Sequence, residues 1–174
     1  MTNFSLIPFD SNTAPAIAIN GDIERDCNRL RIKYRLEGAS QVILTKSDRP
    51  TRQYDLWEHT CFEFFLALKD STIYWEFNLS PAKHWNVFRL PNYRQDIAEE
   101  MTFDTLPFEV FLHDDSLLLN LEISLDRIIS SESNLKVGIT TVVEDERQQL
   151  SYWALTHPAK EPDFHHRDSF IINL

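Results

Sequence analysis

Apolar and polar residues alternate with a period of two along most of this chain, and no other pattern constrains the fold as strongly. In CNRLRIKYRLEG, Leu30, Ile32, Tyr34 and Leu36 fall on one side of an extended backbone, while Arg29, Arg31, Lys33 and Arg35 fall on the other. Successive side chains of a strand point to opposite faces, so this segment reads as a half-buried strand with a cationic outer face. CFEFFLAL sets Phe62, Phe64, Leu66 and Leu68 against Cys61, Glu63, Phe65 and Ala67. IYWEFNLS sets Ile73, Trp75, Phe77 and Leu79 against Tyr74, Glu76 and Asn78. In SLLLNLEIS, Leu117, Leu119, Leu121 and Ile123 oppose Leu118, Asn120 and Glu122. AIAIN, QVILT, WNVFRL, FEVFLHD, LKVGITTVV, LSYWAL and SFIIN are shorter strand candidates.

Turn-forming clusters (KDS, SPAKH, HDDS, EDERQQ) separate these runs roughly every eight to twelve residues. That rhythm predicts an all-β fold, a single antiparallel β-sandwich of about ten strands. Helix is expected only as short turns at LDRIISSE and YRQDIAEEM. The 174 residues fit one domain over 1–174, a size that buries roughly 70% of the unfolded surface without a staple.

Charge and composition exclude several functions. A net charge of −10 lacks the basic surface that nucleic acid or an anionic membrane requires. Only three glycines occur, which disfavours a glycine-rich phosphate cradle. No GxSxG, HExxH, Walker loop or GxGxxG is present. No cofactor is expected. Cys27 and Cys61 carry no CxxC spacing and read as reduced thiols, with their pairing left open. Cys61 lies two residues from His59, but flanking Phe62 and Phe64 make it a packed thiol rather than a nucleophile. MTNFSLIPFD has neither a basic start nor a long apolar run, so the cytoplasm is the expected compartment. The oligomeric state is not legible.

Two regions carry candidate site residues. The outward positions of the alternating strands bring Arg31, Lys33, Glu76 and Asn78 into view, beside Glu63 and Glu122. One reading is a solvated sheet face laced by cross-strand ion pairs. The other is a polar hollow that hydrogen-bonds a hydroxyl-rich small molecule, with Trp57 or Trp85 as an aromatic platform at the loop margin. The closing stretch HPAKEPDFHHRDSF holds His157, His165 and His166 among Glu161, Asp163 and Asp168. Adjacent His165 and His166 point to opposite sides of an extended chain and do not readily share an ion. A bracing loop is therefore preferred over a metal site or a hydrolytic centre.

The stretches WEHTCFEFF, YWEFNLSPAKHWNVFRL and LSYWALTHPAKEPDFHHRDSF resemble the DOMON-like domains, which are related to the family 9 carbohydrate-binding modules. The likeness runs from about Asn28 to Leu174 and follows the order of elements: a Trp loop, a strand with a central Glu, an aromatic strand, a Pro turn, a short Trp strand and LEISL. The resemblance implies a sandwich that binds its ligand on or beside one sheet, a carbohydrate-like molecule being preferred. By similarity, Trp57, Glu63, Trp85, Asn86 and Arg89 are its ligand-side residues. Haem, bound by some members of the wider superfamily, is disfavoured because Met101 is the only internal methionine and lies in a turn-rich stretch. A protein-interaction module is a further alternative.

Overall fold

The computed structural model describes residues 1–47 and 49–174. In chain order its strands are β1 (Thr2–Ser5), β2 (Ile7–Pro8), β3 (Ala18–Asp26), β4 (Arg29–Glu37), β5 (Cys61–Leu68), β6 (Tyr74–Leu79), β7 (Trp85–Leu90), β8 (Ala98–Glu99), β9 (Phe108–His113), β10 (Ser116–Ser124), β11 (Leu135–Glu144), β12 (Leu150–Ala154) and β13 (Ile172–Asn173). They form two sheets whose pairings are all antiparallel, the expected all-β sandwich. The first runs β1-β3-β4-β10-β9 and the second β2-β12-β11-β5-β6-β7-β8, with β13 also pairing β11.

The alternation in β4 does what the pattern predicts. Leu30, Ile32, Tyr34 and Leu36 are fully buried and meet Phe62, Phe64, Leu66 and Phe77 of the second sheet in one apolar cluster. Phe64 and Phe77, paired across β5 and β6, stack at 4.4 Å. On the outer side of β4, Arg29 and Arg31 both bond to Glu122 of β10, and Arg31 also bonds to Glu24 of β3. These exposed pairs contribute little to stability.

The second sheet departs from the half-buried pattern, because β5 and β6 are buried on both faces. Residues 157–170 lie across its outer side. Phe170 and Phe164 pack there on Phe65, Ala67, Tyr74, Phe88 and Leu90, forming a second apolar cluster. Gly138 of β11, opposite Phe65, makes this possible: a Cβ at that position would stand 2.5 Å from the Phe170 ring. Arg167 holds the segment down by donating to the carbonyls of Leu68, Ser71 and Thr72.

Three local expectations change. YRQDIAEEM forms β8 rather than helix, with Glu99 opposite Phe88. LDRIISSE makes turns anchored on the Leu125 carbonyl, without a helix. QVILT contributes only an isolated bridge between Val42 and Asp145. A larger correction concerns the outward acids and cations: Arg31, Lys33 and Glu122 lie on the outer face of the first sheet, Glu63 and Glu76 on that of the second. Alternation assigns parity within a strand but not the sheet to which the strand belongs.

Candidate ligand site on the covered sheet

Where the closing segment leaves the outer face of the second sheet uncovered, a cavity of about 450 Å3 remains, within the size range of small-molecule sites. Its floor carries Glu63 of β5 and Glu76 of β6. Glu63 stands opposite Asn78 and Glu76 opposite Phe65, so the two acids are diagonal neighbours on one face. Thr140 of β11 flanks Glu63 on the other side. Trp57 reaches the rim from a 3-10 turn over Leu56–Glu58 and meets Phe88 edge-on at 6.0 Å. Tyr152 of β12 and Phe164 of the closing segment, 5.9 Å apart, form part of the aromatic wall.

The floor is polar but poorly compensated. Glu63 is 2% exposed; its Oε2 accepts from the Thr140 hydroxyl at 3.3 Å, and its buried Oε1 has no partner among the described residues. Burial first, and then the charge of Glu76, push the Glu63 carboxyl well above the usual carboxylate range. Glu76 Oε1 accepts from Asn78 Nδ2 at 2.8 Å. Burial nevertheless raises Glu76 to about 7, against the lowering influence of Asn78 and Arg94. Two carboxyls so placed retain a proton near neutrality.

His165 does not supply the missing positive charge. Burial first, then Arg94, depress its imidazole to about 4, with Asp163 opposing. The Tyr74 hydroxyl accepts the Arg94 backbone N–H at 3.2 Å and shares a 2.9 Å hydrogen bond with His165 Nδ1. His165 Nε2 lies 3.8 Å from Glu76, beyond hydrogen-bond length. Arg94 itself donates to Asp163 at 3.0 Å.

Of the residues singled out in the sequence, Trp57, Glu63, Glu76 and His165 line this cavity, and Asn78 supports Glu76 from the same face. Trp85 points the other way, into the core between the sheets, with the Arg52 guanidinium 4.3 Å above its ring. Asn86 is fully buried: it accepts from Arg52 at 2.8 Å and donates to Gln53 and Glu99, which ties a loop and an edge strand to β7. Arg89 is exposed and shares the parity of Trp85 rather than that of Phe88. Arg31 and Lys33 lie on the far side of the molecule, where a depression of about 550 Å3 borders Lys33 and Arg35 but holds no buried orphan group among the described residues.

The closing histidines separate. His157 Nε2 donates to the Ile7 carbonyl at 2.9 Å, and His166 accepts from the Asp168 backbone N–H. Among the described residues no three His, Cys, Asp or Glu side chains converge as a metal site. The loop braces the sheet, as the sequence indicated, and also walls the cavity through Pro162, Phe164 and His165. Sequence reasoning missed Tyr152, Phe164 and Arg94, and Glu58, too ordinary beside Glu63 to nominate as half of a glycosidase pair, also lines the cavity. An aromatic set among charges in EPDFHHRD was the available signal for Phe164. Both thiols are free, and burial, followed by the charge of Glu63, raises Cys61 well above the ordinary thiol range, which leaves it unreactive.

No protein-family model and no curated protein matches the sequence. Solved structures do match in fold. A candidate carbohydrate-binding protein from Bacteroides uniformis aligns over 98% of this chain and 84% of its own, with TM-score 0.72 and 13% identity. A family 9 carbohydrate-binding module from Caldicellulosiruptor kristjanssonii in complex with glucose aligns over 85% of this chain and 71% of its own, with TM-score 0.56 and 10% identity. The same kind of module in complex with cellotriose gives TM-score 0.51 at 10% identity, over 85% and 70%. The architecture is therefore the β-sandwich that family 9 carbohydrate-binding modules also adopt.

Proposed function

We propose that this protein is a non-catalytic, DOMON-like β-sandwich module that binds a carbohydrate in the cavity above Glu63 and Glu76. The observation that carries the reading is the unpartnered, buried Oε1 of Glu63 beneath the half-exposed indole of Trp57. A buried carboxyl oxygen without a hydrogen-bond partner is costly, and a ligand hydroxyl, able to donate or accept, would satisfy it. A sugar ring offers hydroxyls at its edge and C–H groups on its face, which matches an acidic floor under an aromatic rim. The structural neighbours solved with glucose and cellotriose support this class of ligand.

Isothermal titration of the full chain with mono- and disaccharides tests the proposal. Binding that weakens about tenfold in Trp57→Ala agrees with it, since an aromatic platform contributes on the order of 1 kcal/mol. Absence of heat with every sugar, or identical affinity in the variant, contradicts it. A hydrolytic reading draws on one observation, the placement of Glu76, at about 7, near His165. Turnover of nitrophenyl glycosides or esters that disappears in Glu76→Gln would favour it over plain binding.

A further inference from the structure

We infer that the cavity selects a ligand bearing a protonated primary amine, and, resting on the carbohydrate reading above, that the ligand is an amino sugar with its amino group free. The charges facing the cavity do not balance. Glu58, Glu63 and Glu76 line it, and Arg94, the one permanent cation lining it among the described residues, already serves Asp163. His165 is neutral and lies 3.8 Å from Glu76. Burying two carboxyls side by side is unfavourable unless they keep a proton or receive a cation from outside.

The chemistry of that cation is narrowed by what surrounds it. Once Glu63 ionises, its Oε1 is an acceptor with no donor among the described residues, so the cation must carry N–H groups, which excludes a quaternary ammonium. A divalent metal needs several oxygen or nitrogen ligands, and no such cluster exists among the described residues. Trp57, Phe88, Tyr152 and Phe164 supply ring faces that attract a cation and also stack on a pyranose. A neutral hydroxyl could hydrogen-bond Oε1 but would leave the floor carboxyls protonated. An ammonium lets both carboxyls ionise, and one proton leaves for solvent as it binds.

The test is isothermal titration near neutral pH with glucosamine, N-acetylglucosamine, glucose and cyclohexylamine, using the wild-type chain and the isosteric variants Glu63→Gln and Glu76→Gln. Glucosamine is expected to bind at least about tenfold more tightly than glucose or N-acetylglucosamine, with a heat that depends on the buffer because a proton is released. The preference should vanish in either variant, circular dichroism showing that each is folded. Equal affinity for glucose and glucosamine, or a preference that survives in both variants, overturns the amine inference and leaves the carbohydrate reading standing. Binding of cyclohexylamine with no binding of any sugar overturns the amino-sugar assignment and the carbohydrate reading together. Silence with all four compounds overturns both as well.

Discussion

The hydroxyl of Tyr34 donates a 2.7 Å hydrogen bond to the backbone carbonyl of Glu63, joining the core of one sheet to the residue that forms the floor of the cavity on the other. Tyr34 is fully buried, with its ring 5.2 Å from Phe62 and 5.4 Å from Phe4. The bond fixes β5 from behind at the position whose side chain faces the cavity. Tyr34→Phe keeps the ring and removes only the hydroxyl, so urea denaturation should show a loss of about 1 kcal/mol. Ligand affinity should fall by a smaller factor than in Trp57→Ala. Unchanged stability would mean that the bond contributes nothing.

The floor carboxyls should make stability fall toward alkaline pH. Glu76 holds its proton up to about 7 in the folded protein, against 4.5 for an ordinary glutamate carboxyl. Its contribution is full below the unfolded value and is lost as pH rises through the folded one; Glu63 extends the same trend. His165 acts in the opposite sense, since an imidazole depressed from 6.5 to about 4 contributes stability that is lost as pH falls through that range. The two trends oppose one another in mild acid, and of these three groups only the carboxyls act above about 6.5. Urea denaturation across a pH series should therefore show Glu63→Gln and Glu76→Gln exceeding wild type at alkaline pH, by on the order of 2 kcal/mol. A wild-type chain that gains stability on alkalinisation would rule this out.

Gly138→Ala should lift the closing segment. The added methyl would enter the space of the Phe170 ring, which lies stacked 5.4 Å from Phe65. Overpacking of this kind costs about 1–3 kcal/mol. Hydrogen exchange should reveal faster opening of residues 157–170, with weaker ligand binding because Pro162, Phe164 and His165 move together. Unaltered exchange there would show that Phe170 has another place to go.

Asn86→Ala should separate support from recognition. Removing the amide breaks the bonds to Arg52, Gln53 and Glu99 in a fully buried position, an expected loss of about 2–3 kcal/mol. Its affinity for ligand, measured below the unfolding temperature, should stay near that of wild type. A large loss of affinity at unchanged stability would return Asn86 to the ligand side.

Much of this architecture is legible in local patterns. The β4 alternation assigns Leu30, Ile32, Tyr34 and Leu36 to the core without ambiguity, and the parity of Glu63 and Glu76 places both away from it. Parity stops short of two facts that decide the site. It does not say which strands become neighbours, so the cations of β4 and the acids of β5 and β6 were grouped on one face although they sit on opposite sides of the sandwich. Nor does it say that a distant loop will cover an outward face, which turns ordinary surface acids into buried ones whose protons bind tightly. Trp85 illustrates the same limit: a tryptophan after a Pro turn suits a rim as well as a core, and only its burial in the cluster between the sheets distinguishes them.

The distribution of the four tryptophans has an optical consequence. Trp75, Trp85 and Trp153 are about 4–5% exposed and packed in the core between the sheets, whereas Trp57 is 38% exposed at the mouth of the cavity. Indoles shielded from water emit at shorter wavelengths than hydrated ones, so the long-wavelength edge of the intrinsic fluorescence belongs to Trp57. Any molecule settling on the acidic floor should perturb that red edge while the blue component stays still, giving the protein a built-in, single-site reporter that needs no label.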